Sequence, residues 1–168
     1  LSLGWVLAKW RRIKPRSLLD NMPLHDLLQR MVPLERLPEL IRQGHVQALA
    51  VTASSYSSGE HVTFFETEAP LQPWVRSQRK AARDRITHEH LLASSAIPFI
   101  FPAKGIEVDG HIEYFGDGSM RQSAPVAPAI HLGAQRVLVV GSNLRKDHPL
   151  FALRVRHAVR HGAAVNLI

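Results

Sequence analysis

The sequence predicts an α/β fold. Segments with apolar residues at helical spacing alternate along the chain with short, nearly all-apolar runs of strand length. Gly, Pro and Asp-Gly punctuation separates them, and no internal repeat or low-complexity stretch breaks the order. At 168 residues the chain can bury roughly two thirds of its unfolded surface in one layered domain.

The elements follow from local chemistry. Residues 2–14 read as a helix with Trp5, Leu7 or Ala8, and Ile13 on its apolar side, stopped by Pro15. "PLHDLLQRM" (23–31) opens on a first-turn proline and spaces Leu24, Leu27, Leu28 and Met31 as a helix does. "PLERLPELIRQG" (33–44) repeats that logic and predicts one helix capped by Gly44. "HVQALAVTA" (45–53) is a buried strand, "SYSSGE" a turn, and "HVTFFETE" (61–68) the partner strand. "APLQP" breaks the chain again. Thr87 caps a helix over "THEHLLASSAIP" that must end before Pro98. In "IEVDGHIEYFGDG" two short β runs flank Asp109-Gly110, a strong hairpin signal. "APVAPAIHLGA" is a short helix ending at Gly133, and "QRVLVVGS" (135–142) a second buried strand of the parallel type. The last element is a basic amphipathic helix over 145–161, with Phe151, Val155, Ala158 and Val159 on one face.

Composition narrows the function classes. Hydrophobic content of 45% with 21% charged residues is that of a globular chain rather than a disordered one. The absence of cysteine removes disulfides, zinc-thiolate sites and thiol nucleophiles together. No apolar run approaches the ~18 residues of a membrane span, so cytoplasmic and peripheral-membrane placements both stay open. The formal charge of +7 is grouped in Lys9–Arg16, in Arg76, Arg79, Lys80, Arg83 and Arg85, and in Arg145, Lys146, Arg154, Arg156 and Arg160. Such groups attract polyanions or anionic membranes, or else simply solvate helix faces. Aromatic residues do not interleave with them, so no stacking platform for nucleic acid is expected.

Asp117 stands out as a lone carboxylate between Gly116 and Gly118, followed by Ser119. Glycines there allow backbone angles closed to other residues, and a tight turn would project Asp117 from the end of "HIEYF". An Asp in a glycine-rich bend is also an ordinary turn residue. Other candidates have simpler readings. His88 and His90, two apart, face different sides of a helix, and no His-Glu-x-x-His is present. His157 and His161 share a helical face without a third ligand. Ser54, Ser55, Ser57 and Ser58 read as turn residues, and Ser94 and Ser95 as small residues for close packing. No metal and no cofactor is expected.

The ordered set Ser94-Ser95-Ala96-Ile97-Pro98, Phe101-Pro102, Asp117-Gly118, Pro125, Gly133-Ala134 and Val137–Val140 resembles the C-terminal part of the patatin-like phospholipases, with the best match over residues 20–142. The resemblance implies a three-layer α/β/α fold, here as an N-terminally truncated single domain over 1–168. It also implies a serine hydrolase of lipid acyl esters working through a Ser-Asp dyad, with Asp117 as the base. A serine hydroxyl needs such a base within hydrogen-bond reach, and burial beside Phe115 would raise the basicity of the carboxylate. Ser119 stands where the family has Gly or Ala. No two glycines have the spacing of a Gly-x-Ser-x-Gly elbow. The nucleophile and the glycine-rich oxyanion loop are therefore expected upstream of Leu1, and the segment alone is expected to be inactive. Two other readings are a catalytically silent relative that binds lipid or protein, and an unrelated basic α/β module that binds nucleic acid. An anionic membrane surface is an expected partner, met through the basic terminal helix.

Overall fold

The computed structural model describes residues 17–119 and 126–136, together with His157 and Arg160, which are helical. The expected helix over 2–14, the Val137–Val140 strand run and the rest of the terminal basic helix lie outside the described residues. The chain divides into two compact units, Leu1–Met120 and Arg121–Ile168. In the second, α4 (Ala127–His131) forms where expected and ends at Gly133, whose φ of 89 is the left-handed cap conformation.

The first unit is built on a mixed six-stranded sheet with helices, an α/β fold. Helix α1 (Met22–Met31) starts with Pro23 in its first turn, as predicted. Its apolar stripe is only partly covered, since Leu24 and Leu28 are half-buried while Met31 is 71% exposed. The single helix expected over 33–44 is instead a 3-10 turn, Leu34–Arg36, followed by α2 (Leu37–Arg42). Pro38 is the reason: it offers no N–H and disfavours helix in the residues before it, so it falls in the first turn of a new helix. Gly44 follows at φ 76, as its capping role requires.

The strands are β1 (Ala48–Ser55), β2 (His61–Thr67), β3 (Val75–Arg76), β4 (Arg79–Arg83), β5 (Lys104–Val108) and β6 (His111–Gly116), in spatial order β3-β4-β2-β1-β6-β5. Helix α3 (His88–Ser95) sits between β4 and β5 in sequence. β1 and β2 pair antiparallel with Val51 opposite Phe64, and β1 pairs antiparallel with β6 through Ser54–Gly116. β1 is thus not a strand of the parallel type: its described neighbours both run against it, and its burial alternates along the second half. The parallel pair is β2–β4, with Thr63 opposite Ala81. β4 has no alternating apolar pattern to announce it; pairing to β2 makes "RKAAR" a strand.

Alternation sorts the sheet into two faces. Val51 and Ala53 of β1, Val62 and Phe64 of β2, Ile106 and Val108 of β5, and Phe115 of β6 meet Leu37 and Ile41 of α2 and Ala93 of α3 in one core. Phe64 and Phe115 are fully buried edge to face, 5.3 Å between centroids. A core Phe of this kind is worth about 3–5 kcal/mol over Ala. The other face carries cross-strand polar pairs, Thr52 with Thr63 at 3.1 Å and Ser54 with His61 at 3.4 Å. There Phe65 is stacked on Trp74 from the segment before β3.

Candidate active site

β6 leads directly into the Asp117 turn, and main-chain bonds fix the turn in place. The Asp117 N–H donates to the Ala96 carbonyl at 2.9 Å and the Gly118 N–H to the Ser94 carbonyl at 3.2 Å. Both acceptors belong to the last turn of α3, which Thr87 starts and the Ala96–Pro98 stretch ends. From β1, the Ser54 hydroxyl donates to the Asp117 carbonyl at 2.8 Å. The turn is therefore clamped between a helix end and a central strand.

The two glycines are needed for a reason other than the expected one. Neither Gly116 nor Gly118 has a positive φ. What they supply is space. A methyl group on Gly118 would overlap the Thr52 carbonyl oxygen, and one on Gly116 would overlap the Tyr56 hydroxyl. At Gly118 this is a close backbone approach, which only a residue without Cβ permits, whereas at Gly116 the neighbour is the tip of the Tyr56 side chain, which can swing aside.

The Asp117 side chain is half-buried. Its Oδ1 accepts the Ser119 N–H at 2.8 Å, an Asx turn that orients the carboxylate. Among the described residues, this is the one hydrogen bond to that group. Ser119 thus enters through its main chain and tolerates the small side chain. Burial, and then the negative charge of Asp117, pushes the Tyr56 phenol above its ordinary value, so it stays a proton donor beside the carboxylate. Sequence reading did not single out Tyr56, Thr52 or the helix-end carbonyls, because the register that brings them to Asp117 is not written in any local pattern.

The β1–β2 turn is braced from behind. Ser55 Oγ donates to Glu113 at 2.6 Å and accepts from the N–H groups of Ser57 and Ser58. Ser54 and Ser55 are therefore strand residues with bonding roles, while Ser57 and Ser58 are turn residues as expected. Burial would raise the Glu113 carboxyl, but hydrogen bonds from Ser55 and Ser58 and the Lys80 charge outweigh it and hold it low. Lys80 also reaches Asp109 at 3.5 Å, and Arg83 donates to the Thr67 carbonyl. Two of the five bases in that group thus bind the protein itself.

The histidine candidates separate as expected. His88 Nε2 lies 2.9 Å from the Val32 carbonyl, whereas His90 is buried against Phe64. Among the described residues no group of three or more His, Cys, Asp or Glu is placed to hold a metal ion. A polar cleft of about 670 Å³ opens beside the ends of β2 and β4, lined by Glu35, Glu66, Arg83, Asp84 and Arg85. Its charged walls do not suit an acyl chain.

A family model described as patatin-like phospholipase matches residues 2–130, a span that includes the whole Asp117 turn. The chain belongs to the patatin-like phospholipase family. No curated protein and no solved structure matches it. Family membership implies an acyl hydrolase acting on lipids, and the mixed sheet with its helices agrees with a patatin-like domain.

Proposed function

We propose that the protein hydrolyses lipid acyl esters through a Ser-Asp dyad in which Asp117 is the base. The observation that carries this reading is the contrast within Asp117 itself. Its main chain is held by α3 and β1, while among the described residues its carboxylate accepts one hydrogen bond, from Ser119 to Oδ1. A group held so firmly, with acceptor capacity remaining, suits proton transfer, where small misplacements are costly.

In this mechanism a serine hydroxyl, supplied by polypeptide outside residues 1–168, gives its proton to the Asp117 carboxylate. The serine oxygen attacks the ester carbonyl, and the alcohol leaves with the proton that Asp117 returns. Water then repeats the sequence on the acyl-enzyme, with Asp117 again taking and returning a proton. No histidine is required. Ser54 is not the nucleophile in this scheme, because its hydroxyl is bound to the Asp117 carbonyl rather than to the carboxylate.

Comparison of the full-length protein with its Asp117→Asn variant on a chromogenic short-chain ester tests the role. The amide oxygen of Asn can still accept the Ser119 N–H, so the turn survives and the melting temperature holds. The expected result is a fall in kcat of about a thousandfold or more, the scale of losing an essential base. Turnover equal to wild type removes Asp117 from the mechanism.

A further inference from the structure

Next to the Asp117 turn the chain holds out a group of large apolar side chains. The bond from Asp117 reaches Ala96, and the residues just beyond it, Ile97 and Phe99, are 45% and 87% exposed. Phe99 has a φ of 66, a left-handed conformation that a bulky residue adopts only when its surroundings impose it. The imposing bonds are visible. The Phe99 carbonyl accepts the Leu18 N–H at 3.0 Å, the Ile100 carbonyl accepts the Leu19 N–H at 2.8 Å, and the Phe101 N–H closes back on Ile97 at 2.9 Å. Leu18 and Leu19 are themselves 77% and 56% exposed. A strained backbone therefore turns an aromatic ring outward beside two leucines and an isoleucine. Exposed apolar residues gathered in this way mark a binding surface.

We propose that Leu18, Leu19, Ile97 and Phe99 insert into the headgroup–acyl boundary of an anionic lipid bilayer. Charge decides the occupant. Residues 1–19 contain five Lys or Arg and no acid, and Trp10 lies among the bases. Arg16 and Lys14 are tied to Leu18 by two and four residues of chain, a reach of at most about 14 Å. Positive charge tethered within that reach of projecting apolar groups matches phosphates lying above acyl chains. An apolar protein partner would have no use for that charge. The inference rests on the acyl-hydrolase reading only in what it adds to it, namely that the Asp117 turn meets its substrate at a bilayer. Binding itself can be measured without turnover.

The test is co-sedimentation of the full-length protein with phosphatidylcholine vesicles, with and without phosphatidylserine. Binding should require the anionic lipid and weaken as salt is raised. Phe99→Gly removes the ring and suits the left-handed backbone, so the fold is kept or improved. Its partition into anionic vesicles should drop about tenfold while its melting temperature holds or rises. Asp117→Asn should bind vesicles as wild type does, which separates loss of the dyad from loss of the surface. Unchanged partition of Phe99→Gly, or binding indifferent to phosphatidylserine, overturns the proposal. A clear drop in its melting temperature also overturns it, because Phe99 would then be packed against another part of the protein.

Discussion

The chain contains two Asp-Gly pairs eight residues apart, Asp109-Gly110 and Asp117-Gly118, at opposite ends of β6, and they are held by different physics. Asp109 and Gly110 both have positive φ, 52 and 80, and turn the β5–β6 hairpin in open space, with nothing near the missing Cβ of Gly110. Their requirement is torsional, the one that primed hairpin turns impose. Gly118 has no such torsion. It is small because the Thr52 carbonyl occupies the place of a side chain. One dipeptide thus serves as a hinge of the backbone and, a strand later, as a gap into which the backbone is pressed. Only the second is clamped by a helix, and there the aspartate is half-buried, whereas the Asp109 side chain is 83% exposed.

Substitutions that act on torsion or on space break the comparison apart. Gly118→Ala should have the largest effect. The colliding atom is backbone and cannot swing aside, so the turn must shift, at about 2–3 kcal/mol of stability. Ester turnover by the full-length protein should fall with it. Wild-type stability and turnover in that variant would show the approach to Thr52 to be dispensable. Gly110→Ala should cost about 1 kcal/mol through torsion alone, leaving turnover untouched. Denaturant unfolding beside an activity assay reads both.

The smallest expected effect sharpens the contrast through α3, which holds one turn and not the other. His90 closes a capping box at the start of that helix: its Nδ1 accepts the Thr87 N–H at 3.1 Å, so the neutral ring carries its proton on Nε2. Burial holds its pKa low, against the opposing charges of Asp84, 3.6 Å from Nε2, and Glu89. The unfolded chain takes up that proton near the ordinary value of about 6.5, whereas the folded chain resists it. Stability from His90 is therefore full above that pH and is lost as pH falls toward the lowered folded value. Protonation also takes away the acceptor that caps the helix. Thermal melts should show a decline of a few degrees over this range, and His90→Gln, whose amide oxygen can still cap, should flatten it. An identical decline in the variant would place the titration elsewhere.

How far the molecule could be read in advance follows the same division between local and distant causes. Thr87, Pro98, Asp109-Gly110 and Gly133 marked their boundaries because caps and turns are written in adjacent residues. The spacing of 33–44 alone is compatible with one helix, but Pro38, five residues after Pro33, forces a new start. β4 is not legible in the sequence, because "RKAAR" becomes a strand only through β2 beside it and Lys80 bound to Glu113 at 3.3 Å. Asp117 was picked out by its neighbours in sequence. What holds it, Ser54, Thr52, Ser94 and Ala96, depends on how β1 and α3 are laid against β6, and no spacing along the chain encodes that.

The brevity of β3 has a consequence for the molecule's behaviour in company. Val75–Arg76 is two residues long and ends the described sheet on the β4 side. A margin that short, bordered by Arg76 and Arg79, gives a passing chain too few free amides to zip onto and meets it with like charge. This margin of the described sheet is thereby a poor template for edge-to-edge pairing with a neighbouring copy.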